Sequence, residues 1–245
     1  MTTLPVFLID RLPEGDQAVL DGPEGRHAAT VRRLRAGEQL VLSDGHGGMA
    51  RCAVDSAERD LVRLTVAERW SQPAVRPRVV LAQALIKGDR GELAVELATE
   101  AGVDVVLPWR AARCVARWDD GPRGDKALAR WRSTAREAAK QARRAWLPEV
   151  GDPVDTDALA KVVTSAAGAL VLHESAQRGL AGIPLPSNGD LVVVVGPEGG
   201  ITDAELETLA AAGAVPVRLG PTVLRASTAG AVALGALGAL TARWG

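Results

Sequence analysis

Tyrosine is absent from the 245-residue chain and phenylalanine occurs once, which leaves six tryptophans as almost the whole aromatic inventory. Aromatic side chains that could stack on bases are therefore few. The two cysteines, Cys52 and Cys114, stand far apart, and the three histidines, His27, His46 and His173, are equally scattered. Neither a disulfide framework nor a metal site is expected from that spacing. The first residues, MTTLPVFLIDRLPEGD, lack a basic segment followed by a long apolar one, so no secretory leader is expected. The longest uncharged run, between Arg225 and Arg243, is too short and too rich in Gly and Ala for a membrane span. A soluble, cytoplasmic protein without a membrane partner is the expectation. Lysine is scarce as well, with 4 residues against 25 arginines.

Excess charge of one sign is also missing, because the net charge is −1. The distribution is uneven: residues 1–150 hold 24 of the 29 basic and 21 of the 30 acidic side chains, or +3, and the remainder carries −4. A basic surface for a polyanion must then be local.

What the chain does have is 47% apolar residues, enough for one large domain or two modest ones. Up to about residue 70 it reads as short strands at 6–10, 38–43, 49–56 and 61–68, with one short helix over 24–34 and a Gly-rich turn at 44–48. This predicts a small β-rich domain, a compact barrel, over residues 1–70. The segment 71–78, SQPAVRPR, has two prolines and no periodicity and reads as a linker.

Over 79–245 the texture changes. Apolar strands at 79–85, 103–107, 169–173, 191–195 and 215–219 alternate with helical patterns at 90–101, 127–145, 156–166, 203–212 and beyond 226. Uninterrupted apolar strands are what a parallel sheet covered on both faces requires, so an α/β domain with about five parallel strands is predicted.

Two strand ends carry the chemistry. In LVVVVGPEGGITDAEL, residues 191–206, a buried strand runs into Gly196, Pro197, Glu198, Gly199 and Gly200, and Thr202 with Glu205 forms a helix-starting signature. Glycines there let backbone approach a ligand at the carboxyl end of a strand, where open α/β sheets bind. The spacing is neither a dinucleotide fingerprint nor a P-loop. In RLGPTVLRASTAGAVALGALGAL, residues 218–240, a second strand end turns through Gly220 and Pro221 into a helix of small residues. Arg225 is the single charge between Arg218 and Arg243; so isolated a cation needs a substrate or a carboxylate such as Glu198.

Five ordered stretches, at residues 25–47, 87–115, 130–150, 196–206 and 219–229, together resemble the SPOUT methyltransferases, and among them the ribosomal RNA small subunit methyltransferase E family. The resemblance implies a PUA-like N-terminal domain and a C-terminal domain whose chain forms a trefoil knot and binds S-adenosylmethionine. It implies methylation of N3 of a uridine in 16S ribosomal RNA, within the 30S subunit, by a homodimer without a metal. The cofactor-binding residues carried over are Leu172, His173, Gly196, Pro197, Glu198, Gly199, Gly200, Leu219, Gly220, Leu224, Thr228 and Ala229. Arg225 is the catalytic candidate, stabilising charge on a uracil oxygen, and Glu198 is either a base or the residue that orients Arg225. Many members carry a glutamate where this chain has Ser227, so a role for that carboxylate does not carry over.

For RNA contact, residues 130–146 read as a helix on which Arg132, Arg136, Lys140 and Arg144 recur every four residues, with Arg143 alongside. Like charges at that spacing oppose each other by about 0.2–0.5 kcal/mol per pair, so helix stability does not explain the stripe. Phosphate binding does, in concert with Arg26, Arg32, Arg33 and Arg35. Of the tryptophans, Trp109 and Trp146 are the candidates to stack on bases, whereas Trp70 and Trp244 read as packing or surface residues. Two other functions fit the same features: a ribosome-assembly RNA-binding protein that retains the cofactor fold, or a SPOUT enzyme acting on another base or a ribose 2′-hydroxyl.

Overall fold

The computed structural model describes residues 4–245 and divides the chain into two compact units. The first runs to Ala74 and takes in Ala139–Leu147 as well; the second comprises Val75–Ala138 and Pro148–Gly245. The return of residues 139–147 to the first unit is absent from the linear division at 71–78.

In the first unit, β1 (Val6–Leu8), β2 (Gln17–Leu20), β3 (Gln39–Ser43), β4 (Gly48–Glu58) and β5 (Leu61–Ser71) form one sheet in the order β1-β3-β4-β5-β2. The β1–β3 pair is parallel and the others are antiparallel. Alternation sets its inner face: Leu40 and Leu42, then Ala50, Cys52 and Val54, then Val62, Leu64 and Val66 are all buried. Phe7 and Leu20 complete that core, and burial pushes the Cys52 thiol up to about 11. A short helix, α1 (Gly22–Arg26), continues into a π-helical turn over His27–Val31. The strand β2 escapes sequence reading because only its last residue is buried.

The Gly-rich turn at 44–48 is held by Asp44, whose Oδ1 accepts from the backbone N–H groups of His46 (2.7 Å) and Gly48 (2.9 Å). Gly47 has φ +97°, and a Cβ there would lie 2.7 Å from the Trp146 ring, so this turn admits only glycine. Trp146 is half-buried and donates its indole N–H to the Gln72 carbonyl at 2.8 Å.

In the second unit, β6 (Arg78–Ala84), β7 (Val105–Trp109), β8 (Glu149–Val150), β9 (Gly168–Leu172), β10 (Asp190–Val195) and β11 (Val215–Val217) form a sheet in the order β11-β9-β10-β6-β7-β8. Every pairing is parallel. The expected five strands are joined by β8, whose two residues are too few for any periodicity. Between the strands run α2 (Arg90–Glu100), α3 (Pro122–Gln141), α4 (Thr156–Ser165), α5 (Asp203–Ala211) and α6 (Ala226–Leu240). Residues 191–195 are at most 2% exposed, as expected for a central strand covered on both faces. Because the sheet is parallel, the carboxyl ends of β6, β7, β9, β10 and β11 gather on one edge.

Three expectations are corrected here. Helix α3 ends at Gln141, and Arg143, with φ +54°, lies in the turn beyond it. Lys140, read as part of an exposed stripe, is 6% exposed, and its Nζ lies 2.7 Å from Glu24 Oε1. Arg144 also lies beyond the helix, so only Arg132, Arg136 and Lys140 of the stripe are helical. The last turn of the helix belongs to the first unit, where Glu24 of α1 pairs with Lys140. Trp109, the other stacking candidate, is fully buried and donates its indole N–H to Thr156 Oγ1 at 3.3 Å. No helix among the described residues is long and apolar enough to cross a membrane.

Candidate functional site

The strand-end edge of the second unit opens into a cavity of about 790 Å³. One wall is the turn that follows β10. Gly200 has φ +76° and its N–H bonds back to the Pro197 carbonyl at 2.9 Å, so the turn reverses within four residues. A Cβ at Gly196 would lie 2.6 Å from Ile201 Cγ1, and one at Gly199 would lie 3.0 Å from Arg113 Cβ. A side chain at Gly196 would force Ile201 to shift, and one at Gly199 would press on Arg113.

The opposite wall is the segment between β11 and α6. It is anchored at its start, where the N–H of His173 donates to the Val217 carbonyl (3.0 Å) and that of Arg218 to the Arg178 carbonyl (2.8 Å). At its end, the Arg225 carbonyl accepts from the N–H groups of Thr228 and Ala229, each at 3.0 Å, which starts α6. At Gly220, by contrast, an added Cβ would meet nothing within 4 Å.

Of the residues carried over from the sequence, Leu172, His173, Gly196, Pro197, Glu198, Gly199, Gly200, Leu219, Gly220, Leu224, Arg225 and Ala229 all line this cavity. Thr228 does not; its hydroxyl donates back to the Arg225 carbonyl at 3.2 Å. Ser227, at the position of the missing carboxylate, is buried and lines the wall. Arg225 and Glu198 do not pair with each other, and among the described residues neither side chain has an ion-pair partner. His173 Nδ1 lies 2.9 Å from Ser175 Oγ.

Sequence reading missed Arg90, Arg113 and Arg218, which with Arg225 place four guanidinium groups around the cavity against Glu174, Glu198 and Asp203. Arg113 lies within a stretch matched to the family, and its Nη1 donates to the Gly199 carbonyl at 3.2 Å.

Glu205 holds this arrangement together. Its Oε2 accepts from the Thr202 N–H (3.0 Å) and hydroxyl (2.7 Å), closing the capping box of α5. Its Oε1 accepts from the Ala112 N–H (2.8 Å) and the Thr156 hydroxyl (3.2 Å). Burial alone would push this carboxyl up, but the N–H groups of Ala112 and Thr202 and the hydroxyls of Thr202 and Thr156 outweigh it and hold it below 4.5. A carboxyl lowered in the fold contributes stability that is present above its unfolded value and lost as pH falls through the folded one. Glu205→Gln should therefore lower the unfolding free energy by about 1–3 kcal/mol at pH 7. In urea denaturation the gap from wild type should narrow as pH falls below 4.5. A pH-independent gap would mean that the carboxylate charge contributes nothing.

The expected RNA-contact residues fall in both units. In the first, Arg32, Arg33, Arg35 and Arg143 are exposed, Arg144 is half-buried, and Arg26 is exposed beside Asp60 at 3.1 Å. In the second, Arg136 is exposed, and Arg132 reaches Asp152 Oδ1 at 2.9 Å and the Val150 carbonyl at 3.1 Å.

Residues 74–238 match the family model of an RNA methyltransferase domain, and residues 20–67 that of an RNA methyltransferase PUA domain. A ribosomal RNA small subunit methyltransferase E of Mycobacterium bovis is 58% identical over 244 residues, covering 98% of this chain and 93% of the relative. Among solved structures, a Legionella pneumophila methyltransferase in complex with the bound cofactor SAM superposes with a TM-score of 0.87 at 27% identity, covering 98% of this chain and 99% of the other. A Neisseria gonorrhoeae ribosomal RNA small subunit methyltransferase E bound to S-adenosyl methionine gives 0.85 at 25% identity, with 98% of each chain covered. The parallel sheet with its strand-end cavity, in a chain that also carries a β-rich PUA-like domain, is thus that of a SPOUT-type RNA methyltransferase. Within that class the chain belongs to the ribosomal RNA small subunit methyltransferase E family.

Proposed function

We propose that this protein transfers the methyl group of S-adenosylmethionine to N3 of a uridine in 16S ribosomal RNA of the small subunit. The observation that carries the reading is the cavity of about 790 Å³ where the strand ends meet, lined by the Gly196–Gly200 turn and the 219–225 segment. It falls within the usual range of small-ligand sites, about 300–1,000 Å³, and the open space at Gly220 leaves backbone accessible to a ligand. These residues fit the cofactor. Leu172, His173, Gly196 to Gly200, Leu219, Gly220, Leu224 and Ala229 would hold it, and once bound it supplies an electrophilic methyl group.

The remaining work falls to the chain. Uracil N3 is a poor nucleophile until its proton leaves, and the anion so formed spreads its charge onto the neighbouring carbonyl oxygens. Arg225, exposed at the start of α6 and without an ion-pair partner among the described residues, is placed to stabilise that charge. Glu198, also lining the cavity and also without an ion-pair partner there, is the candidate to accept the N3 proton. The target nucleotide has to be unpaired or turned out of its helix for this edge to reach the cavity. The trefoil knot, the homodimer and a cytoplasmic location, all expected from the sequence, belong to the same proposal.

Phosphate contact is assigned to the exposed arginines, with Lys140 left out because of its internal pair. Arg32→Glu combined with Arg33→Glu should weaken binding to small ribosomal subunits and reduce the slope of log affinity against log salt by about one unit, or slightly less, per lost contact. S-adenosylmethionine affinity serves as the control. An unaltered slope would make these arginines an ordinary solvated face. The reading as a whole is tested by equilibrium binding of S-adenosylmethionine followed by tritiated methyl transfer to small subunits. Binding without transfer would favour an assembly protein that retains the cofactor fold.

A further inference from the structure

A second cleft, of about 330 Å³, opens beside the first cavity and has no part in the chemistry above. Leu85, at the end of β6, forms its floor, and Arg110, Ala116, Arg117, Trp118 and Asp120, from the loop between β7 and α3, form its sides. Only one residue separates the two spaces. Ala112 and Cys114 face the cleft, while Arg113 between them lines the cavity and bonds to Gly199. The same holds just past the end of β6, where Leu85 lines the cleft and Ile86 the cavity.

This loop is preorganised. The Arg110 N–H donates to the Val154 carbonyl (2.8 Å), the Ala112 N–H to Glu205 (2.8 Å) and the Cys114 N–H to the Ala111 carbonyl (3.0 Å). Trp118 is half-buried and stands edge-to-face on the buried Trp131, with ring centroids 4.9 Å apart, so part of its indole remains accessible on a fixed mount. Arg117 is exposed and has no ion-pair partner among the described residues. Arg110 pairs with Asp120 at 3.1 Å, but Asp120 is 95% exposed, so that pair is cheaply exchanged for another anion.

An indole, two arginines and small side chains between them suit a nucleotide, since an indole ring can stack on a base and guanidinium groups can meet phosphate. The volume lies at the low end of the range for small-ligand sites, about 300–1,000 Å³, which suits one nucleoside and excludes a duplex. We propose that this cleft binds an unpaired nucleotide of the substrate RNA that flanks the target, while the target itself occupies the larger cavity. The inference rests on the RNA methyltransferase reading and adds a specificity site to it: the enzyme would read sequence or shape one step away from the methylated base.

The test uses two variants of the full-length protein, with undermethylated small ribosomal subunits as substrate. Arg117→Glu reverses an exposed charge, and Ala116→Leu fills the cleft without changing charge. Each should raise KM for the subunits by about tenfold, in line with the loss of one stacked base, while S-adenosylmethionine affinity stays within about twofold. With a photoreactive nucleotide beside the target position, the wild type should crosslink within residues 110–118. Wild-type KM in both variants, or a crosslink elsewhere, would overturn the cleft assignment while leaving methyl transfer intact. Absence of cofactor binding and transfer in the wild type would overturn the reading beneath it.

Discussion

Arg225→Ala should lower kcat by about 10²–10³-fold, the cost of removing one donor from a site where negative charge develops, while the Kd for S-adenosylmethionine moves by no more than about threefold. Arg225 stands at the N-cap of α6 with its side chain on the cavity wall, and only its carbonyl takes part in starting the helix. Alanine keeps that carbonyl, so the helix survives and the loss is confined to the guanidinium group. An interaction made only as charge develops lowers kcat and kcat/KM together. Measuring both, with cofactor affinity determined separately by calorimetry, checks this. Wild-type turnover would make Arg225 a structural cation, and a loss confined to cofactor affinity would make it a binding residue.

Gly220→Leu should abolish detectable S-adenosylmethionine binding, a loss of at least about 100-fold in affinity, and leave the unfolding midpoint nearly unchanged. Since an added Cβ at Gly220 meets no protein atom within 4 Å, the new side chain takes up space on the cavity wall without disturbing the fold. Gly199 is the less clean probe, because a Cβ there crowds Arg113 and would shift the 110–114 loop along with the turn. Calorimetric titration with a parallel thermal melt separates ligand exclusion from unfolding. Full affinity in a folded Gly220→Leu protein would place the cofactor elsewhere.

The parallel sheet was legible because its strands are apolar on both faces: residues 191–195 need no partner information to be read as a central strand. Both cavity walls were legible as Gly-rich turns at strand ends, although Gly196 and Gly199 also serve the turn's own packing against Ile201 and Arg113. What escaped was non-local. Thr202 and Glu205 were visible as a helix start, but the reach of Glu205 to Ala112, 93 residues away, leaves no trace in local spacing. Lys140 fits its stripe by period, and only the return of 139–147 to the first unit reveals that Glu24 covers it. Trp118 drew no attention because a single tryptophan in an irregular loop carries no pattern, whereas Trp109 drew attention and proved to be core. The family resemblance supplied what spacing could not, above all the cofactor, and it is the source of the proposed uridine target.

The most direct test is nucleoside mass spectrometry of 16S ribosomal RNA after incubation of the purified protein with S-adenosylmethionine and small ribosomal subunits from a strain lacking the enzyme. The expected result is one new N3-methyluridine per subunit, formed by the wild type and not by the Gly220→Leu protein. A methyl group on a ribose, on another base, or on no nucleoside at all would contradict the assignment.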